Sequence, residues 1–248
     1  MKKLVLKLFV GFIVIPAALV GTLYYLNENG FFNIEKVQVV LESPTPGQEQ
    51  FLKPNVDSLE NVLMKYKGVS LWGIKLRSVS KEVRKQEWIE NLQISRVWPA
   101  TLAIRVKPYE VKFLYMARGG KLTPIIKDGQ FLAPIEAKQA PDVAILDGEA
   151  FGKKQELRKK AITVIEQIPA QGSFSRKTIS EVRYDNKEGF WMTLIKTGTQ
   201  VKIGEDQVAL KAARVSRVVD YLETKQFDAR VIDADLSKKV LVRLRKDP

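Results

Sequence analysis

The chain has 248 residues, carries 41 Lys and Arg against 28 Asp and Glu for a formal net charge of +13, and contains no cysteine and no histidine. These absences exclude disulfides, thiolate nucleophiles, imidazole bases and the usual zinc sites. Of the common hydrolytic mechanisms, a carboxylate pair or a Ser-Lys arrangement is left.

The amino end predicts a membrane-spanning helix. Residues 8–26, LFVGFIVIPAALVGTLYYL, include no charged residue and would form about 28 Å of helix, close to the hydrocarbon thickness of a bilayer. Lys2, Lys3 and Lys7 precede this stretch, which places residues 1–7 in the cytoplasm and the bulk of the chain across the membrane. We expect an uncleaved anchor. The alternative is a cleaved signal peptide, but the apolar run is long for one and no small-residue cleavage site follows.

Residues 32–107 predict a small α+β domain. Periodicity predicts a strand over 34–41, helices over 55–66 and from 78 to before Trp88, and strands over 89–98 and 101–106. Two helices on one face of a three-stranded mixed sheet would bury the apolar residues of these elements. Lys107-Pro108-Tyr109 interrupts the pattern, so we place a domain boundary there.

Residues 108–248 predict a β-rich α+β domain with two helices. The helices are expected over 153–168 and 205–225, and the strands over 111–116, 122–126, 130–132, 143–146, 179–184, 190–195, 200–203, 230–234 and 239–245. Asp128-Gly129 and the turn at 185–189 are hairpin signals.

Two arrangements in the sequence could in principle support an enzymatic reaction. Asp233 and Asp235 lie two residues apart on a predicted strand and therefore point the same way, as a carboxylate pair requires, but many surface strands have this spacing. Ser237-Lys238 falls in a predicted turn, whereas Ser-Lys chemistry needs a buried lysine. We predict no enzymatic activity, no cofactor and no metal.

The positive charge belongs mainly to the region after the predicted anchor, because only three of the 41 basic residues precede it. Outside the cytoplasm such a surface suits anionic lipid headgroups, acidic envelope polymers or an acidic protein, and we predict no nucleic-acid partner. We interpret one basic cluster as a solvated helix face, with headgroup or partner contact as the alternative; it comprises Lys153, Lys154, Arg158, Lys159 and Lys160.

The tryptophans are interpreted as packing residues. Trp72, Trp88 and Trp191 are expected in cores or hairpins rather than on a binding platform, because aromatic side chains fill cores far more often. In the segment 96–102, RVWPATL, Pro99 presets a turn between two strands and Trp98 is expected to shield the sheet end.

The order and spacing of several motifs resemble a known family. The anchor, the strand FFNIEKVQV, two helices and WIENLQISRVWPATLAIRVKP are similar to the FtsQ/DivIB family of bacterial division proteins. The resemblance continues through 126–131 (IKDGQF), 145–148 (ILDG), 201–205 (VKIGE) and 232–236 (IDADL). The chain departs from the family at Lys107, where an acidic residue is usual, near Glu110, where proline is usual, and at Asp235, where arginine is frequent.

The resemblance implies a POTRA domain at 32–107 and an FtsQ-type β domain at 108–248. It also implies a non-enzymatic divisome scaffold and regulator that links early and late division proteins and controls septal peptidoglycan synthesis. Such a protein spans the inner membrane once, with its amino terminus cytoplasmic and its bulk periplasmic, and is enriched at the division septum. The implied partners are FtsB- and FtsL-like bitopic coiled-coil proteins, and other division proteins through the POTRA domain.

The resemblance places the FtsB-type contact on the terminal strand, where a partner strand is added. The candidate residues here are Lys239, Val240, Leu241, Val242, Arg243, Leu244 and Arg245. Alternation predicts that Val240, Val242 and Leu244 face the core, and that Leu241, Arg243 and Arg245 contact a partner of acidic character. The alternative is an edge that its own basic residues protect against aggregation.

Two other functions stay open. One is another POTRA-bearing envelope protein, an assembly or translocation factor that accepts polypeptide strands. A barrel-forming carboxyl half with repeated amphipathic strands would favour it, whereas this chain has interior helices there. The other is an exported basic polymer-binding protein, whose binding would weaken steeply with salt.

Overall fold

A computed structural model of the chain describes residues 2–116, 120–236 and 239–245, with side chains from residue 12 onwards. The chain divides into two units. The first comprises Met1–Pro44 and Leu52–Pro108, and the second comprises Thr45–Phe51 and Tyr109–Pro248. Within the residues just given, each unit contains one sheet, of three strands in the first and eight in the second.

The first unit begins with the helix α1, Lys2–Glu28, which includes the predicted apolar stretch 8–26. Its large apolar side chains from Phe12 to Tyr25 are exposed, Phe12 by 83%. None of the helices in the described part of the chain combines the length and the apolar character needed to cross a membrane.

The sheet of the first unit has the predicted mixed arrangement. Its strands are β1 (Lys36–Leu41), β2 (Ile89–Val97) and β3 (Thr101–Pro108). The order is β1-β3-β2, with β1 parallel and β2 antiparallel to β3. The helices are α2 (Glu49–Leu63) and α3 (Leu76–Val83). The start of α2 was predicted wrongly at residue 55, because the helix contains Pro54 within its first two turns, where sequence patterns suggest a break.

The tryptophans of the first unit differ sharply in burial. Trp88 is 4% exposed, as expected of a core residue. The interpretation of Trp72 as a packing residue was wrong, since 52% of it is exposed, and Trp98 at the β2–β3 turn is 57% exposed. These two rings lie near each other, with centroids 6.1 Å apart.

The second unit is built on the eight-stranded sheet. Its strands are β4 (Val111–Met116), β5 (Leu122–Ile126), β6 (Ile145–Asp147), β7 (Ile179–Asp185), β8 (Gly189–Leu194), β9 (Gln200–Gly204), β10 (Ala229–Asp233) and β11 (Leu241–Leu244). The order is β11-β10-β9-β8-β7-β6-β4-β5. The pairs β4–β6, β6–β7 and β9–β10 are parallel, and the other neighbours are antiparallel. Residues 130–132 were predicted as a strand but form only an isolated bridge between Phe131 and Ile125.

Among its described residues the second unit has three α-helices of its own, where two helices were predicted. They are α4 (Glu149–Lys153), α5 (Gln155–Glu166) and α6 (Val208–Lys225). The expected helix 153–168 is interrupted because Lys154 has an extended backbone, which separates α4 from α5. Apolar residues of α5 and α6 pack on one face of the sheet, against Val182, Phe190, Met192, Val201 and Ile232 among others.

Arg158 contradicts the interpretation of its cluster as a solvated face. It is 6% exposed, and its guanidinium donates to the carbonyl oxygens of Gly129, at 2.6 Å, and Phe151. The same group lies 3.9 Å from the centroid of the Phe131 ring. Burial lowers the pKa of Arg158. The arginine therefore ties α5 to the turn after β5 instead of facing solvent.

Candidate functional site

The candidate site is the outer edge of β11. This strand ends the order of the eight-stranded sheet and, among the residues described, pairs only with β10. An edge strand leaves a row of backbone N–H and C=O groups without partners, and a strand from another chain can complete them. Lys239 and Val240 lie just before β11, and Arg245 just after it.

The backbone register identifies which groups point outwards. The Arg245 N–H donates to the Asp228 carbonyl at 2.9 Å, towards β10. Because backbone groups alternate in direction along a strand, Leu241 and Arg243 also direct theirs at β10. The N–H and C=O groups of Val242 and Leu244 therefore point to the open edge.

The side chains follow the predicted alternation up to Leu244. Val240 and Val242 are half-buried against the core, whereas Leu241 is 48% exposed and Arg243 is exposed. Leu244 pairs with buried Ala229 on the core side of the sheet, as predicted, but 49% of it is exposed. A bulge in β10 between Ala229 and Val231 shifts the register, so that Leu244 pairs with Ala229 at the end of the sheet.

The basic residues of the site differ in how they are paired. The guanidinium of Arg245 lies 3.5 Å from the Asp228 carboxylate and donates to the Thr197 carbonyl oxygen at 2.8 Å. It therefore fastens the end of β11 to its own unit. Lys239 and Arg243 are exposed and make no ion pair with a described residue.

The sheet face that carries Leu241 and Arg243 extends the site beyond the predicted residues. The residues that pair with one another across the sheet, strand by strand from Leu241, form a row of mostly polar side chains: Asp233, Lys202, Trp191, Arg183 and Asp147. Trp191 lies in the β7–β8 hairpin, as expected, and is half-buried on this outer face, with the Arg183 guanidinium 5.5 Å from its ring centroid. Its indole N–H is buried and has no acceptor among the described residues. Only the strand order reveals this face, because its residues come from six separate strands.

A neighbouring row contains Glu181, whose environment is unusual for a carboxylate. Burial, a hydrogen bond to Asp147 and repulsion by that carboxylate raise the pKa of Glu181, while the Arg183 guanidinium acts in the opposite direction. Register places Thr193, Gln200 and Val231 between Glu181 and Arg243. The face thus bears charges of both signs.

A buried ion-pair network fixes the chain between β10 and β11. The Lys211 ammonium is 2.6 Å from the Asp206 carboxylate and 2.7 Å from that of Asp235, and the lysine is 4% exposed. Burial lowers the pKa of Lys211, but the two carboxylates together raise it further, and the net shift is upwards. Asp235 comes two residues after β10, so the network holds the chain where it leaves that strand.

The carboxylates considered for catalysis therefore have structural partners. Asp235 pairs with Lys211, and Asp233 accepts the Asp235 N–H at 3.0 Å. Ser237 and Lys238 lie outside the described residues. Within the described part of the chain, no group of acidic residues is arranged to hold a metal ion.

Two domain families match the chain in sequence order. Residues 50–109 match the FtsQ-type POTRA domain, and residues 114–235 match the C-terminal domain of cell division protein FtsQ/DivIB. The second match ends before β11, so the candidate edge follows the matched range.

Several proteins of similar sequence are named cell division protein FtsQ. Cell division protein FtsQ of Geotalea daltonii is 24% identical over 221 residues, which cover 86% of this chain and 76% of that protein. The protein of the same name from Syntrophotalea carbinolica is 22% identical over 94% of this chain and 81% of its own length. That of a Geobacter species is 27% identical over 71% of this chain and 66% of its own length. Because both domain families occur in the expected order and these relatives match most of its length, the chain belongs to the FtsQ/DivIB family of cell division proteins.

Proposed function

We propose that the chain is a non-enzymatic scaffold and regulator of the division site, which captures a partner strand along β11. The observation that carries this proposal is the open edge, where the N–H and C=O groups of Val242 and Leu244 point away from the sheet. FtsB- and FtsL-like coiled-coil proteins are the proposed partners. Through this contact the chain would control septal peptidoglycan synthesis.

Charge supports a partner of acidic character. Lys239 and Arg243 make no ion pair with a described residue and lie on or beside β11. A strand added at this edge would pass these two cations, and acidic side chains there would gain complementary contacts. By contrast, Arg245 holds the end of β11 in place through Asp228 and Thr197.

The proposal includes location. We place residues 8–26 of α1 in the inner membrane as a single-pass anchor, with residues 1–7 in the cytoplasm and the rest of both units in the periplasm at the septum. Support comes from the uncharged stretch 8–26, the three lysines before it and the exposed apolar side chains of the helix from residue 12. The POTRA domain would contact other division proteins, which would join early and late components of the assembly.

Proline substitutions test the edge one backbone group at a time. In Leu244→Pro the lost N–H points to the open edge, so the β10–β11 ladder is kept, and edge strands tolerate proline. The control Leu244→Ala removes the same side chain but keeps the N–H. Leu241→Pro is less informative, because its N–H points to β10 and its loss would weaken β11 itself.

The measurement is the affinity of the full-length chain, in detergent, for a purified FtsB/FtsL-like complex of the same organism. Loss of one buried backbone hydrogen bond, about 1–1.4 kcal/mol, predicts roughly five- to tenfold weaker binding for Leu244→Pro than for Leu244→Ala. Circular dichroism confirms that both variants are folded. Equal affinities of these folded variants would show that β11 is not the contact.

A further inference from the structure

An exposed aromatic patch lies on the first unit where α1 ends. The patch consists of Phe31, Trp72 and Trp98, which are 49%, 52% and 57% exposed. Buried Phe32 joins its members, because its ring centroid lies 5.1 Å from those of Phe31 and Trp98, and Trp98 in turn lies 6.1 Å from Trp72. Neither the division-protein comparisons nor the β11 edge accounts for three large aromatic side chains in water.

The patch is fixed to the end of α1. Gly30 adopts a positive φ of 75°, which lets the chain turn out of the helix, and the Phe31 N–H donates to the Leu26 carbonyl at 3.0 Å. The Ser70 hydroxyl donates to Asn27 Oδ1 at 3.2 Å, and the Leu71 N–H donates to the Phe32 carbonyl at 2.8 Å. The loop that bears Trp72 is therefore hydrogen-bonded to one residue before the turn at Gly30 and to one residue after it.

Arg96 holds this loop in place from β2. Its guanidinium donates to the Leu71 carbonyl at 2.7 Å and to the Ile74 carbonyl at 2.8 Å, and lies 6.0 Å from the Trp72 ring centroid. Two hydrogen bonds and one cation–π contact of this side chain thus hold Trp72 outwards. A tryptophan that the fold positions in solvent in this way is expected to bind a surface rather than to fill a core.

The position along α1 points to a membrane surface. Tyr24 and Tyr25, each 67% exposed, lie at the end of the apolar stretch of the helix. The helix continues only to Glu28, about 4.5 Å further along its axis, before the chain turns to Phe31. The headgroup layer on each side of a bilayer is about 6 Å thick, and tryptophan and tyrosine concentrate there. Exposed Lys67 and Lys75 flank the loop of Trp72 and make no ion pair with a described residue, which suits anionic headgroups.

We propose that the patch inserts into the headgroup region of the bilayer that α1 enters and so holds the POTRA domain against the membrane surface. The inference rests on the proposed anchor, because it requires α1 to be in the membrane. Its consequence is that the first unit has a defined orientation on the membrane instead of turning freely on a single helix.

Tryptophan quenching in vesicles tests the patch. The full chain is reconstituted into phosphatidylcholine and phosphatidylglycerol vesicles, with and without brominated acyl chains, and its emission is compared. Since α1 contains no tryptophan and the patch holds two of the four in the chain, we expect brominated lipid to remove about half of the emission. Trp72→Phe with Trp98→Phe should abolish this loss, whereas the matched control Trp191→Phe should retain it.

Flotation after an alkaline carbonate wash separates the two proposals. If the chain floats with the vesicles but brominated lipid does not change its emission, α1 is in the membrane and the patch does not insert. That result supports the anchor and overturns the inference, and the patch would then be a surface for a protein partner. Quenching that persists in the double variant would also overturn it. If the carbonate wash removes the chain from the vesicles, the anchor itself is wrong and the inference falls with it.

Discussion

Replacing Lys211 by methionine should destabilise the second unit. The ammonium of this 4%-exposed lysine is 2.6 Å from Asp206 and 2.7 Å from Asp235. Methionine keeps an apolar stem of similar length, so the change removes the charge and spares most of the packing. Because the network holds the chain after β10, its loss should also loosen the path into β11.

The expected loss of stability depends on how well each carboxylate is hydrated once the lysine is removed. Removing one partner of a buried ion pair costs about 3–5 kcal/mol, since a charge is left without compensation. Here the side chain of Asp206 is 74% exposed and rehydrates, whereas that of Asp235 is 28% exposed and stays partly desolvated. We therefore expect a loss of about 2–3 kcal/mol in the free energy of unfolding, or 1–1.5 M in the urea midpoint.

The assay is urea unfolding of the full-length chain in detergent, followed by hydrogen exchange in peptides from β9 and β10, which report the second unit alone. The pKa of Lys211 is raised above its ordinary value, so the contribution of the lysine is complete below about pH 10.4 and is lost only as the pH rises through the folded-state pKa. Neutral pH is therefore suitable for every variant.

A double variant identifies the partner that matters. Asp235→Asn in the Lys211→Met background removes the uncompensated carboxylate and should recover about 1–2 kcal/mol of the loss. The control Asp206→Asn removes the solvent-exposed carboxylate and should leave the urea midpoint close to that of the parent. The reasoning is refuted if Lys211→Met unfolds at the parent midpoint, or if the effects of Lys211→Met and Asp235→Asn simply add.

Two further predictions concern the second unit. Arg158→Met leaves two backbone carbonyl groups without their donor and should lower the free energy of unfolding in urea by about 2–4 kcal/mol. The exposed control Lys153→Met should stay within about 0.5 kcal/mol of the parent. Equal effects of the two substitutions would contradict the structural role of Arg158. Burial and Asp147 raise the pKa of Glu181, so its stabilising contribution is present below the unfolded-state pKa of about 4.3 and is lost as the pH rises through the folded-state pKa. Glu181→Gln should therefore raise the urea midpoint at about pH 8 and leave it unchanged near pH 4, and a variant less stable than the parent at pH 8 would refute this.

Local patterns predicted most elements of both sheets because apolar spacing directly reflects which side of an element is buried. The strands β4 and β5 have the predicted bounds, and β2 and β3 form the predicted hairpin. The errors arose where a local signal was ambiguous. Pro54 lies inside α2, and the extended backbone of Lys154 separates α4 from α5.

The candidate site shows where sequence patterns stop being sufficient. Alternation predicted a terminal strand with Leu241 and Arg243 outward, and motif order predicted the family. A bulge opposite Leu244 and the ion pair of Arg245 with Asp228 could not be read from the strand itself, because each depends on a residue of a neighbouring segment. The same holds for the burial of Arg158 and the exposure of Trp72.

The sequence by itself determined the elements, their amphipathic faces and membership of the FtsQ/DivIB family, since these depend on spacing along the chain. Only the tertiary structure decided which strand β11 pairs with, that Val242 and Leu244 aim their backbone groups outwards, and that Trp72 and Trp98 meet beside α1. The physical reason is that edges, registers and patches are relations between segments far apart in sequence, and packing of the whole unit selects among the pairings that local patterns permit.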